Sequence, residues 1–299
     1  MSFSGDVKNE ICRHFPPKAC DVQAECYGIL LYCNTFSGGE ARIITENTRL
    51  AERIPALFRS AFGAEFDDVR TPESGKRSFI ITDTAKLEAI FGAYGFVPGE
   101  TVSHHINLGV LEEDCCRAAF LRGAFLAGGS VTDPAKNYHL ELVTPHFNVS
   151  RETRSLLLEM EFEPKSGSRA GNYITYFKQS AAIEDFLTLI GAPGCAMELM
   201  GAKIEKDVRN RVNRRVNCDT ANVSKTVDAS AGQLEAIARL DIDALPERLR
   251  ATAKLRLENP ELNLAELAAL VDPPMTKSGL NHRLRKLREL GDAGRDGGI

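Results

Sequence analysis

The feature that most restricts how this chain can fold is a duplication within residues 1–202. Two apolar segments, Glu25–Cys33 and Ala119–Ser130, each carry a glycine in mid-run, Gly28 and Gly123. Glycine inside a helix costs about 1 kcal/mol relative to alanine and is kept where another backbone must come close. The pattern predicts two helices that pack against each other through Gly28 and Gly123. The same series follows each of them: a strand (Ala41–Thr45; Tyr138–Val143), a helix (Thr48–Phe62; Ser150–Met160), a second strand (Ser78–Thr82; Tyr173–Phe177) and a closing helix (Ala85–Gly95; Ala181–Gly191). The spacing is nearly constant, 95 residues from Gly28 to Gly123, 94 from Ile80 to Ile174 and 99 from Gly92 to Gly191. A repeat with this period, each unit running helix, β-rich segment, helix, predicts an α+β domain with pseudo-twofold symmetry.

Charge divides the chain differently. Residues 1–202 hold 19 Lys and Arg against 26 Asp and Glu, whereas residues 203–299 hold 18 against 15. Phosphate binding needs cations, so nucleic acid is expected at the C-terminal third. There, six of the fifteen residues from Lys203 to Asn217 are basic. A solvated, charged linker helix is one reading of that run. The other makes Lys203, Lys206, Arg209, Arg214 and Arg215 candidate phosphate contacts without base specificity. A short helix from Val223 to Leu240 is expected after it.

Three further helices are expected. Pro246 suits a first turn, and Leu245, Leu249, Ala253 and Leu257 form an apolar stripe that ends at Asn259 and Pro260. Asn263 with Glu266 forms a capping box for a second helix that buries Leu264, Leu267, Ala268 and Val271. The run Asp272 to Pro274 imposes a turn, and Thr276 caps a third helix, Lys277 to Leu290. That is a helix-turn-helix pattern. On the third helix Leu280, Leu284 and Leu287 share one face, and five of the eleven residues from Ser278 to Arg288 are His, Lys or Arg, with none acidic. Thr276, Lys277, Ser278, Asn281 and His282 are placed to reach base edges. Arg283, Arg285, Lys286 and Arg288 are placed for phosphate. A basic amphipathic helix is also compatible with a merely solvated or protein-binding face.

The two glycine-centred helices resemble the paired motifs of the LAGLIDADG homing endonucleases. In that family each helix ends in an acid that binds a divalent metal for phosphodiester cleavage. By position those acids fall at Cys33 and Gly128, and neither offers the hard oxygen that Mg²⁺ requires. The resemblance therefore implies a duplicated αββαββα domain without catalysis. An active, diverged endonuclease using Asp133 or Glu25 is the alternative reading, and a protein-interaction scaffold is a third. Together, the degenerate helix pair, the basic run through Asn213–Cys218 and the terminal small all-α helix-turn-helix domain resemble the WhiA family. The resemblance covers about Ser4 to Leu290, most specifically at Phe120–Thr132, Asn213–Lys225 and Leu264–Leu287. It implies a double-stranded-DNA-binding regulator in which the helix-turn-helix supplies most of the affinity. It also implies roles in sporulation in actinobacteria, and in cell division and chromosome segregation in other Gram-positive bacteria. The acidic N-terminal domain is then a surface for a protein partner or for dimerisation.

The expected divisions are 1–110 and 111–202 for the two halves, 203–240 for the basic linker, 241–290 for the helix-turn-helix and 291–299 for a flexible tail. No cofactor or metal is expected. His104 and His105 have no third ligand at metal spacing, and the eight cysteines show no paired C-x-x-C or ferredoxin-like pattern. Most of those cysteines, Cys115 and Cys116 included, are expected to be buried packing residues. A polar N-terminus and the absence of a long apolar run predict a cytoplasmic protein with no membrane contact, and the DNA-binding reading places it at the nucleoid.

Overall fold

The computed structural model describes residues 2–72, 75–97 and 103–296. The chain divides into two compact units, Met1–Asp207 and Val208–Ile299.

The first unit begins with a helix absent from the sequence reading, α1 (Phe3–Ile11), which buries Phe3, Val7 and Ile11. The first half then runs α2 (Ala19–Tyr32), β1 (Thr35–Ser37), β2 (Glu40–Thr45), α3 (Thr48–Phe62), β3 (Asp68–Arg70), β4 (Arg77–Ile81) and α4 (Thr84–Ala93). The second repeats the series with α5 (Asp114–Gly128), β5 (Gly129–Val131), β6 (Leu140–Thr144), α6 (Phe147–Glu159), β7 (Lys165–Arg169), β8 (Asn172–Phe177) and α7 (Ser180–Leu189). Each half is αββαββα. The two antiparallel sheets have the same strand order, β1-β2-β4-β3 and β5-β6-β8-β7. The apolar runs named from sequence are the central strands β2, β4, β6 and β8. The outer strands β1, β3, β5 and β7 are three to five residues long, and β7 is exposed throughout, which leaves them little hydrophobic pattern.

The helix pair α2 and α5 lies at the centre of one continuous core. A Cβ on Gly28 would stand 2.1 Å from the carbonyl oxygen of Phe120, and one on Gly123 would stand 2.0 Å from that of Glu25. Any side chain at either position would separate the helices. This reciprocal contact is the close approach that the duplicated glycines require.

The second unit is helical. α8 (Pro193–Ala238) carries the chain into it, followed by α9 (Glu247–Glu258), α10 (Leu264–Ala269) and α11 (Lys277–Asp296). Two expectations change here. The basic run and the helix expected from Val223 are parts of one 46-residue helix. The third helix continues past Leu290 to Asp296 because Gly291 packs against α8, where a Cβ would lie 2.4 Å from the Ala236 carbonyl oxygen. Of the residues read as a tail, 297–299 lie outside the described residues.

Candidate nucleic-acid interface

Short-range capping and a small apolar core build the helix-turn-helix. The Asn263 side chain accepts hydrogen bonds from the backbone N–H groups of Ala265 (2.9 Å) and Glu266 (3.1 Å), while Glu266 accepts from the N–H of Asn263 (3.0 Å), completing the capping box. Thr276 Oγ1 accepts from the N–H of Gly279 at 3.2 Å and caps α11. The Met275 N–H donates to the Ala268 carbonyl at 3.3 Å, tying the turn back onto α10. Leu280, Leu284 and Leu287 of α11 pack with Leu249 and Ala253 of α9, Leu267 and Ala268 of α10, and Ile237 of α8.

One residue of the expected α9 stripe is misplaced. Leu257 is 42% exposed, and Arg256 is buried in its stead. The Arg256 guanidinium donates to the Leu262 carbonyl at 2.6 Å, holding the loop between α9 and α10. A long side chain that satisfies a loop carbonyl can occupy an interior site that an apolar count assigns to leucine.

With its leucines turned inward, α11 presents Thr276, Lys277, Ser278, Asn281, His282, Arg285, Lys286 and Arg288 to solvent, and Arg283 is half-buried. All nine candidate residues thus lie on one helix or at its cap, eight of them exposed and Arg283 at the margin of the core. They differ electrostatically. Arg285 Nε pairs with Glu289 at 3.0 Å, and Arg288 Nε stands 3.7 Å from Asp292. Both acids lie just beyond the window in which the sequence reading found none. Among the described residues, no carboxylate pairs with Lys277, Arg283 or Lys286, so the freest cations lie in the first half of the helix. Lys225, which the sequence reading did not single out, lines a groove with Asn222, Arg256, Asn263 and Lys277.

The basic run divides into two groups. Lys203 Nζ reaches Glu184 at 3.5 Å, and Lys206 donates to the Lys136 carbonyl at 2.8 Å while lying over the Tyr138 ring. Arg209, Arg214 and Arg215 are exposed, and no carboxylate pairs with them among the described residues.

At the ends of the paired helices neither expected acid position holds a carboxylate. Cys33 is the C-terminal cap of α2, buried, with its sulfur 3.1 Å from the carbonyls of Leu30 and Thr35. Burial pushes its thiol up to about 12. Gly128 has no room for any side chain, since a Cβ would meet the Val143 carbonyl oxygen at 2.3 Å and the Tyr32 ring at 3.0 Å. A hard divalent ion finds no carboxylate at either position. Glu25 is fully buried and forked by Arg53 at 2.7 and 2.9 Å, with Arg122 at 3.4 Å. Asp133 is exposed and holds a turn by accepting from the Ala135 N–H at 2.8 Å.

Comparison with known proteins agrees with this layout. Residues 116–209 match the model of the WhiA LAGLIDADG-like domain, and residues 212–291 match that of the WhiA C-terminal HTH domain. A "Probable cell division protein WhiA" from Ruminiclostridium cellulolyticum is 39% identical over 308 residues, spanning 98% of this chain and 97% of the relative. The chain belongs to the WhiA family. A relative of the same description from Alkaliphilus oremlandii is 37% identical and spans 100% of this chain and 99% of its own. The crystal structure of full-length DUF199/WhiA from Thermatoga maritima shares the fold across 98% of this chain and 99% of its own, at 22% identity and a TM-score of 0.60. The structure of the isolated N-terminal LAGLIDADG domain of DUF199/WhiA covers 64% of this chain and 90% of its own, at 18% identity and a TM-score of 0.51. The WhiA architecture is therefore a degenerate LAGLIDADG-like domain followed by a helix-turn-helix. No described helix is long and apolar enough to cross a membrane.

Proposed function

We propose that this WhiA-family chain is a sequence-specific, non-enzymatic regulator that reads double-stranded DNA through α11. The observation that carries this reading is the first half of α11. There Thr276, Lys277, Ser278, Asn281 and His282 are exposed over a leucine-anchored face, with Lys277 and Lys286 exposed and unpaired by any described carboxylate. A recognition helix inserts its N-terminal half into the major groove. Asn281 suits adenine, while Arg283, Arg285, Lys286 and Arg288 meet phosphates. Arg209, Arg214 and Arg215 add positioning contacts. The names of the relatives support a role in cell division. The family resemblance supports sporulation control or chromosome segregation as the process, with the protein acting in the cytoplasm at the nucleoid. The acidic N-terminal unit is the surface offered to a protein partner.

Genome-wide mapping of occupied sites tests this function. A shared sequence motif under the occupied sites, abolished by changes on α11, is the expected result. Occupancy without any motif would remove the claim of specificity. Incubation with plasmid DNA and Mg²⁺ or Mn²⁺ tests the absence of catalysis, and specific nicking would reverse it.

A further inference from the structure

The opposite ends of the paired helices carry a different set of ligand atoms. Cys20 and Asp21 are the second and third residues of α2, and Cys115 and Cys116 are the second and third residues of α5. The two pairs stand 95 residues apart, the same interval that separates Gly28 from Gly123. They are therefore equivalent positions in the two halves, and the glycine contact that joins the helices brings them together. The three sulfurs and one carboxylate oxygen all lie within 4.8 Å of one another.

We propose that Cys20, Asp21, Cys115 and Cys116 form a four-ligand site for one thiophilic divalent cation of the Zn²⁺ class, bridging the two halves of the N-terminal unit. Three thiolates and one carboxylate make a tetrahedral donor set of the kind Zn²⁺ takes in closed structural sites. Bonds of about 2.3 Å place neighbouring ligand atoms of a tetrahedron a little under about 4 Å apart, so side-chain rotation closes the group onto an ion without moving the helices. The surroundings favour negative charge. Neither α2 nor α5 has a side-chain N-cap, and the four ligands sit in the first turns of these helices, where the helix dipole favours negative charge. Lys18 Nζ lies 3.6 Å from the Cys115 sulfur and offsets the excess charge of the ligand set. Cys20 is exposed and Cys115 half-buried, which gives an ion a route in, while Cys116 and Asp21 are buried and pre-positioned. Each thiol releases its proton to solvent as its bond to the metal forms. Spacing along the chain conceals the site, because its ligands come as two adjacent pairs and not as C-x-x-C. Cys26 and Cys33 lie outside the cluster.

Anaerobic titration of the full-length, reduced, chelator-stripped protein with Co²⁺ tests the site. The expected result is one equivalent bound per chain, with intense thiolate-to-cobalt charge transfer and the visible bands of a tetrahedral centre, bleached by one equivalent of Zn²⁺. Zn²⁺ should also raise the thermal midpoint of the wild-type protein. The double variant Cys20→Ser/Cys115→Ser, changed at the two more accessible positions, should lose the bands and the thermal shift while keeping its metal-free circular dichroism. Asp21→Asn should weaken Zn²⁺ binding by at least about tenfold, and Cys218→Ser on α8 should change nothing. Absence of the bands in wild-type protein, or their survival in the double variant, overturns the proposal. A disulfide between Cys20 and Cys115 or Cys116 in protein isolated under reducing conditions overturns it equally.

Discussion

A Cβ on Gly128 would stand 2.3 Å from the carbonyl oxygen of Val143, so the backbone of β6 occupies the space in which a catalytic carboxylate would begin. The proposed absence of nuclease chemistry thus rests on packing as well as on residue type. Restoring the acid with Gly128→Asp should give no cleavage. Overpacking against a fixed backbone should cost about 1–3 kcal/mol or more, measurable by urea unfolding. A stable Gly128→Asp protein that nicks DNA in Mn²⁺ would contradict the assignment.

Glu25 supports the fold through a buried ion pair. Its partner Arg53 is only 4% exposed and also donates to the His14 carbonyl at 2.7 Å. Glu25→Ala leaves that guanidinium buried without its carboxylate and should lower stability by about 3–5 kcal/mol. A denaturant titration showing a loss within about 0.5 kcal/mol, the usual range for a surface change, would mean that the pair is dispensable.

Acid should weaken the N-terminal unit through two facing imidazoles. His146, at the N-terminus of α6, has its ring 4.6 Å from that of His104. Burial, and then His104, hold His146 down at about 4 against an ordinary 6.5. Burial, and to a smaller extent His105, also lower His104. Between these values the unfolded chain binds more protons than the folded one, so stability rises with pH. The neutral pair is fully stabilising above about 6.5 and progressively less so as pH falls toward about 4. His146→Gln should flatten the decline in thermal midpoint across that window. An unchanged slope would exclude His146 as its source.

Side chains on α11 should separate by role. Lys286→Ala should weaken binding to every sequence alike. Asn281→Ala should cost about 1–3 kcal/mol on a target site and little on random DNA. Arg285 is shared with Glu289, so Glu289→Gln should release it and tighten binding by the modest amount a surface pair represents, about 0.2–1 kcal/mol. Gel shifts on target and random duplexes distinguish these outcomes, and equal effects of Lys286→Ala and Asn281→Ala on both would contradict the division.

How much of this was legible depended on whether the signal was local. The glycine pair, the central strands, the capping box at Asn263 and the leucine face of α11 are written in short-range periodicity, and the chain folds as they indicate. The outer strands carry too little apolar alternation to be seen, and α1 shows only the spacing of Phe3, Val7 and Ile11. Pairings across long distances were invisible. Nothing near Glu25 announces Arg53, Arg256 looks like a surface cation until the Leu262 carbonyl is placed beside it, and Cys20 meets Cys115 only when the repeat closes.

Lys277, Arg283 and Lys286 of α11, with which no described carboxylate pairs, are the proposed DNA-binding cations. The most direct test of their role is the salt dependence of binding by the full-length protein and by the triple variant Lys277→Ala/Arg283→Ala/Lys286→Ala. The two lost phosphate contacts, Arg283 and Lys286, should reduce the slope of log K against log salt by about 1.8, at about 0.9 per contact, and the loss of Lys277 should further lower affinity for the target site. A variant whose slope and affinity match those of the wild-type protein would contradict the account.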